Sequence, residues 1–181
     1  LELAEQIRAA EIPGPARIYI ACGTTGSTAG LALGLAAARL PTTVHAIQVA
    51  DRPFSSPEKM HHLMLKTRFI LNRLDPSFDA GEDTWRLRWR DAFLAGGYAK
   101  VDEATTESVK VADTALGLKL ETTYTGKAFA AMLHDLQSPD YSGEPYLFWN
   151  TYNSRQLPVT SDRPDDWDVI PEEFARYYTS E

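Results

Sequence analysis

The stretch "RIYIACGTTGSTAGLALGL", Arg17–Leu35, constrains the fold more than any other part of this chain. A short β-rich run, Arg17–Ala21, leads into small and hydroxyl-bearing residues and then into a leucine- and alanine-rich segment, Thr28–Leu40. Leu31, Leu33, Leu35 and Leu40 make that segment apolar on nearly every face, as in a helix packed at the centre of a domain. Where a strand turns into a helix, small residues let the backbone bend sharply. Several N–H groups can then point at one anion, reinforced by the positive end of the helix. Thr24, Thr25, Ser27 and Thr28 supply hydroxyl donors, and Gly23 and Gly26 allow close approach. The stretch lacks the GK[ST] ending of Walker A and the GxGxxG spacing, which removes both nucleotide motifs. From these residues alone, an anion site and a plain tight turn both remain open.

The rest of the chain repeats the alternation. Leu1–Ala10 reads as a helix stopped by "IPGP", and "TTVHAIQVA", Thr42–Ala50, as an apolar strand suited to a parallel sheet covered on both sides. A long helix follows, with Ser55 or Ser56 as its N-cap and Pro57 in its first turn. Its inner side is expected to hold Leu63, Leu65, Ile70, Leu71 and Leu74. Trp85–Arg90 alternates as a strand, with Trp85 and Trp89 on one face. Gly96–Gly97 marks a turn, and a helix runs from Asp102 to Leu116 with Gly117 as its stop. "LKLETTY" reads as extended, "TGKAFAAMLHDL" as a helix from Gly126, and Pro145–Thr151 as the last strand. This pattern predicts an α/β fold, a mainly parallel sheet with helices on both faces. Residues 1–160 form the expected domain, and 161–181 an acidic tail packed on it, with a short helix at "PEEFARYY".

Bulk properties exclude some functions. A net charge of −7 over 181 residues argues against non-specific binding to nucleic acid or anionic membranes. No run approaches the roughly 20 apolar residues that span a bilayer. The lone Cys22 cannot form an internal disulfide, which fits a cytoplasmic protein. The chain opens "LELAEQIRAAE", without an initiator Met and with a helix in progress, and reads as a fragment or processed chain.

Three expected strand ends carry hydroxyl-rich clusters: Gly23–Thr28, Tyr124–Thr125 and Asn150–Ser154. Ligands of open α/β sheets collect beyond the carboxyl ends of the strands, so this convergence is the functional signal. Taken alone, Thr125 reads as a helix cap with Tyr124 packed beside it. Other candidates are weaker. His61 and His62 diverge by about 100° on a helix and cannot easily share a metal. His45 reads as a core histidine, Cys22 as a small buried hydrophobe, and Asp165, Asp166 and Asp168 as a solvated turn.

In this order the segments resemble the pyridoxal-phosphate enzymes of the tryptophan synthase β-chain fold (fold type II). The likeness is strongest to the branch holding 1-aminocyclopropane-1-carboxylate deaminase and D-cysteine desulfhydrase. It runs through "EQIRAAEIPGPARIYIACGTTGSTAGLALGL", "GGYAKVDEATTESVKVADTALGLKLETTYTGKAFAAML" and "YLFWNT". The resemblance implies that Thr24, Thr25, Gly26 and Ser27 cradle the phosphate of pyridoxal 5'-phosphate, with Gly23 permitting the turn. It also implies that Tyr124 handles substrate at the cofactor face, and that Thr125 and Thr151 lie beside the pyridine nitrogen. The implied reaction is elimination of ammonia or a β-substituent from a small amino acid. The implied assembly is a homodimer, and the Schiff-base lysine is expected ahead of the phosphate loop, in a missing N-terminal segment or a partner chain. Lys127 is not at that lysine's position. After Thr151 the branch usually has glycines, whereas this chain continues "YNSR". Two other readings stay open on the residues: a non-catalytic anion-binding module, and another phosphate-binding α/β transferase.

Overall fold

The computed structural model describes residues 1–141, 143–153 and 155. The expected tail 161–181, its short helix, and Ser154 of the last cluster lie outside the described residues.

Four parallel strands form one sheet in the order β3–β2–β1–β4: β1 (Arg17–Cys22), β2 (Thr43–Gln48), β3 (Leu87–Arg90) and β4 (Tyr146–Phe148). Alternation along β1 and β2 sets the two faces. Ile18, Ile20, Cys22, Val44 and Ala46 pack with α2 (Gly26–Ala37) and with Met60 and Met64 of α3 (Pro57–Leu74). Tyr19, Ile47 and Val49 face the other way, onto Ala128 and Ala131 of α5 (Thr125–Leu136). A third cluster, Ala112, Leu120 and Phe129, joins α4 (Glu103–Leu116) to α5. The first helix, α1 (Glu2–Ala9), buries Ala4. No helix among the described residues is long and apolar enough to cross a membrane.

Local chemistry sets the helix ends. The Ser56 hydroxyl accepts from the Lys59 amide at the start of α3, the Asp102 carboxylate accepts from the Thr105 amide at the start of α4, and Gly117 closes α4 in the left-handed conformation. Three expectations are corrected. Ile70 and Leu74 of α3 are exposed, and the helix buries Met60 and Met64 instead. An 18-residue helix is about 27 Å long, whereas a six-residue strand spans about 20 Å, so the end of α3 overhangs the sheet it covers. Trp85 precedes β3 rather than belonging to it, although Trp85 and Trp89 pack against the same cluster. "LKLETTY" is not a strand: Thr122–Tyr124 form a turn, because the Glu121 carboxylate gathers the amides that follow it.

The chain order positions the site. From β1 the chain winds through α2 to β2 and through α3 to β3 on one side, then returns past α4 and α5 to β4 on the other side of β1. The sheet therefore reverses its winding between β1 and β4. The carboxyl ends of the strands at such a switch leave a crevice between diverging connections.

Candidate functional site

A cavity of about 650 Å³ occupies that crevice. Its wall includes Gly23–Thr28 after β1, Ala50 and Asp51 after β2, Thr151 after β4, and Tyr98 and Tyr124 from the connections. Gly23, Thr24, Thr25, Gly26, Ser27, Tyr124 and Thr151, which the sequence separates by up to 128 positions, thus share one space.

The loop differs from its sequence reading in one respect. The helix begins at Gly26, and the residue in the left-handed conformation is Thr25, with φ 73°, rather than either glycine. A β-branched residue there is strained and must be held by its surroundings. Thr25 is 1% exposed, yet its Oγ1 has no hydrogen-bond partner among the described residues. Thr28 Oγ1 also has none, although the hydroxyl lies beside the Cys22 thiol. A buried, unsatisfied hydroxyl costs roughly 1–3 kcal/mol unless something else meets it. Burial pushes the Cys22 thiol above its ordinary value, so it behaves as the expected inert core group.

Two helix N-termini meet this region, and only one is closed. At α5, Glu121 accepts from the amides of Thr123, Tyr124 and Thr125 at 2.6–3.1 Å, and its own carbonyl takes the Gly126 amide at 2.8 Å. No side chain caps α2. Its first-turn amides, those of Gly26, Ser27 and Thr28, keep the orphan donors that every helix start has. A Cβ built on Gly26 would meet nothing within 4 Å, so the loop opens into free space there.

Thr125 does not line the cavity. Its hydroxyl donates to Glu121 Oε1 at 2.9 Å and accepts the Glu121 amide at 3.2 Å; it lies inside the first turn of α5 rather than capping it, because Glu121 takes the leading amides instead. Tyr124 does reach the cavity. Its hydroxyl lies 2.6 Å from that of Tyr98, and this bond, together with burial, raises the Tyr124 phenol above its ordinary value. Sequence reasoning missed Tyr98 and Asp51. The signal for Tyr98 was an aromatic directly after the Gly96–Gly97 turn, and Asp51 directly follows the expected strand Thr42–Ala50. Asp51 Oδ2 accepts the Tyr98 amide at 3.0 Å. It is the one charged side chain among the described lining residues. The wall therefore combines free amides and hydroxyls of the α2 loop with a carboxylate and two phenols, the Tyr124 ring lying within 3.7 Å of where a Gly23 Cβ would stand.

His45 is buried in the core as expected, far down the sheet in the face toward α5. Asp135 accepts from Tyr19 Oη at 2.7 Å and from both terminal nitrogens of Arg90 at 2.7 and 3.1 Å, and lies 3.6 Å from His45 Nδ1. Burial and the Arg90 charge hold His45 down at about 4. Burial works against the Asp135 carboxylate, but hydrogen bonds from Arg90, Tyr19 and His134 hold it down at about 2.

No family model matches the chain. The D-cysteine desulfhydrases of Salmonella paratyphi C (strain RKS4594) and Salmonella choleraesuis (strain SC-B67) are each 30% identical to it over 152 residues. The match takes in 83% of this chain and 43% of each relative, so the chain spans less than half the length of these proteins. The crystal structure of an ACC deaminase homologue is similar with a TM-score of 0.65 and 25% identity, over 80% of this chain and 42% of that one.

Proposed function

Because the chain is related to the D-cysteine desulfhydrase and 1-aminocyclopropane-1-carboxylate deaminase branch of fold type II, we propose that it forms the phosphate-holding side of a pyridoxal-phosphate-dependent lyase or deaminase. The substrate would be a small amino acid. The observation that carries this reading is the pairing of an uncapped α2 with the buried, unpartnered Thr25 hydroxyl in the wall of the switch-point cavity.

The residues fit the cofactor. The free amides of Gly26, Ser27 and Thr28, the hydroxyls of Thr24, Thr25 and Ser27 and the positive end of the helix would hold a phosphate dianion at the start of α2. Gly23 and Gly26 keep the approach clear. Thr151, in the same cavity wall, would lie beside the pyridine nitrogen, where a neutral hydroxyl would leave that nitrogen unprotonated. Bound in this way, pyridoxal phosphate would supply a modest electron sink for the carbanion formed at the substrate α-carbon.

The chain's own groups do the rest. The Tyr98–Tyr124 pair shares one hydrogen bond between two hydroxyls, so one phenol proton stays available to substrate. With the Tyr124 phenol raised, the pair stays neutral at neutral pH and serves as a donor rather than a base, through whichever hydroxyl accepts the shared bond. Asp51, the carboxylate in the same wall, disfavours a second anionic group beside it. Thr125 acts one step removed, fixing the Glu121 turn that presents Tyr124. The Schiff-base lysine is assigned to no described residue.

Calorimetry with pyridoxal phosphate, pyridoxal and inorganic phosphate tests the reading. Pyridoxal phosphate should bind, phosphate should compete, and pyridoxal should bind much more weakly. Equal binding of pyridoxal and its phosphate would remove the Gly23–Ser27 loop from the site.

A further inference from the structure

Lys127 is the one lysine among the buried residues, fully inaccessible in the first turn of α5. A lysine ammonium is rarely buried without a specific anchor. This one donates to the carbonyl of Leu94 at 2.7 Å and to that of Gly97 at 3.2 Å. Both carbonyls already accept a backbone amide, Leu94 from Gly97 and Gly97 from Lys100, so the ammonium occupies their remaining lone pairs.

The segment it grips is unfavourable on its own. Ala95, Gly96, Gly97 and Ala99 have φ of 58°, 83°, 151° and 57°. Two alanines in that region cost energy that the loop's own contacts must offset. Between them stands Tyr98, whose amide is held by Asp51 and whose hydroxyl meets Tyr124. The loop is therefore clamped on both sides, an ammonium on its carbonyls and a carboxylate on its N–H. Lys127 is not among the cavity-lining residues, and two of its three N–H bonds are spent on the loop. That geometry suits a clamp and not a nucleophile.

We propose that Lys127 is a positioning residue, whose buried ammonium fixes the left-handed loop at 95–99 and so sets Tyr98 against Tyr124 in the cavity wall. The catalytic consequence rests on the function proposed above; the loop-holding claim does not.

The test uses the full-length protein with Lys127→Met and Lys127→Gln, read by hydrogen exchange of residues 94–100, ultraviolet titration of the phenols against a Tyr98→Phe reference, and pyridoxal phosphate affinity. In Lys127→Met, exchange in 94–100 should rise at least about tenfold to a hundredfold, the loss expected for even one hydrogen bond from a charged donor. The raised phenol titration, absent from Tyr98→Phe, should vanish, while pyridoxal phosphate affinity holds and D-cysteine turnover falls by roughly a hundredfold at unchanged KM. Lys127→Gln, which keeps an amide donor, should fall between, and it carries the same readouts if Lys127→Met does not fold. A variant with lowered melting temperature but unchanged loop exchange and phenol titration overturns the proposal. A parent protein that binds no pyridoxal phosphate overturns the functional reading alone, and exchange and phenol titration still decide the role of Lys127.

Discussion

Mild acid should destabilise this fold through one buried histidine. His45 is 1% exposed, its ring tilted against that of Tyr19 with centroids 4.6 Å apart, and hydrogen-bonded to Arg90; it is held down at about 4 instead of 6.5. Burial is the larger cause and the Arg90 charge the next; Asp135 opposes both. Between those two values the unfolded chain binds a proton that the folded chain refuses, so stability rises with pH through the window and is lost as pH falls. At about 1.4 kcal/mol per pH unit, the full difference is about 3 kcal/mol, with a slope near 1.2 kcal/mol per unit around pH 5. Below that window Asp135 takes over, because its depressed carboxyl, at about 2 against an ordinary 3.8, contributes stability that disappears as it protonates. The assay is urea unfolding of the parent and of His45→Phe at a series of pH values from 7 to 3. The parent should lose stability from pH 6.5 downward, and His45→Phe should stay flat until the Asp135 window. Equal slopes in both proteins near pH 5 would refute the argument, since no buried histidine would then be refusing a proton.

Two further perturbations probe the site from either side. Thr25→Val keeps the β-branched shape and removes a hydroxyl that has no partner among the described residues. Melting of the ligand-free protein should hold or rise, while pyridoxal phosphate affinity measured by calorimetry falls by about tenfold or more, the worth of a hydrogen bond to a charged group. Gly126→Ala brings a Cβ to 2.7 Å from Val109 Cγ2 and 2.8 Å from the Glu121 carbonyl. It should cost roughly 1–3 kcal/mol in urea unfolding and, by shifting the start of α5, weaken the Tyr98–Tyr124 contact seen in the phenol titration.

Much of the architecture was legible because apolar periodicity and capping residues act locally. Ser56, Asp102 and Gly117 end their helices through contacts within a few residues, and β2 is apolar on both sides because both sides are covered. The site was legible only in part. The hydroxyl clusters after β1 and β4 were readable as strand ends, and the cavity does join them. The third cluster was placed on a strand because "LKLETTY" has the right residues. A single carboxylate reaching forward onto three amides outcompeted extended structure, and periodicity carries no trace of that. That the left-handed residue of the loop is Thr25 was hidden for a related reason. The position that turns is chosen by what the surroundings will hold, and here a buried threonine is held. Tyr98 and the Asp135 cluster depend on residues from several elements meeting, such as Tyr19 paired with His45 across β1 and β2, and no linear spacing encodes those meetings.

The two ends of α5 show how the chain trades local for distant stability. A helix favours anions at its start and cations at its end, each worth about 0.3–1 kcal/mol. Yet α5 carries Lys127 in its first turn and Asp135 next to its last residue, both reversed and both buried. Neither residue is explained by helix formation. Each is explained by a partner elsewhere: Lys127 by the carbonyls of Leu94 and Gly97, Asp135 by Arg90 of β3 and Tyr19 of β1. Glu121 offsets the cost at the first end by placing its carboxylate on the amides beside Lys127. At the second end, the bidentate Arg90 pair does the same. So α5 ties the sheet's charged face at one end to the loop bearing Tyr98 at the other, and the neutral α2 is left with its N-terminus open. An anion entering the cavity therefore finds its free donors at α2, because at α5 that place is already taken.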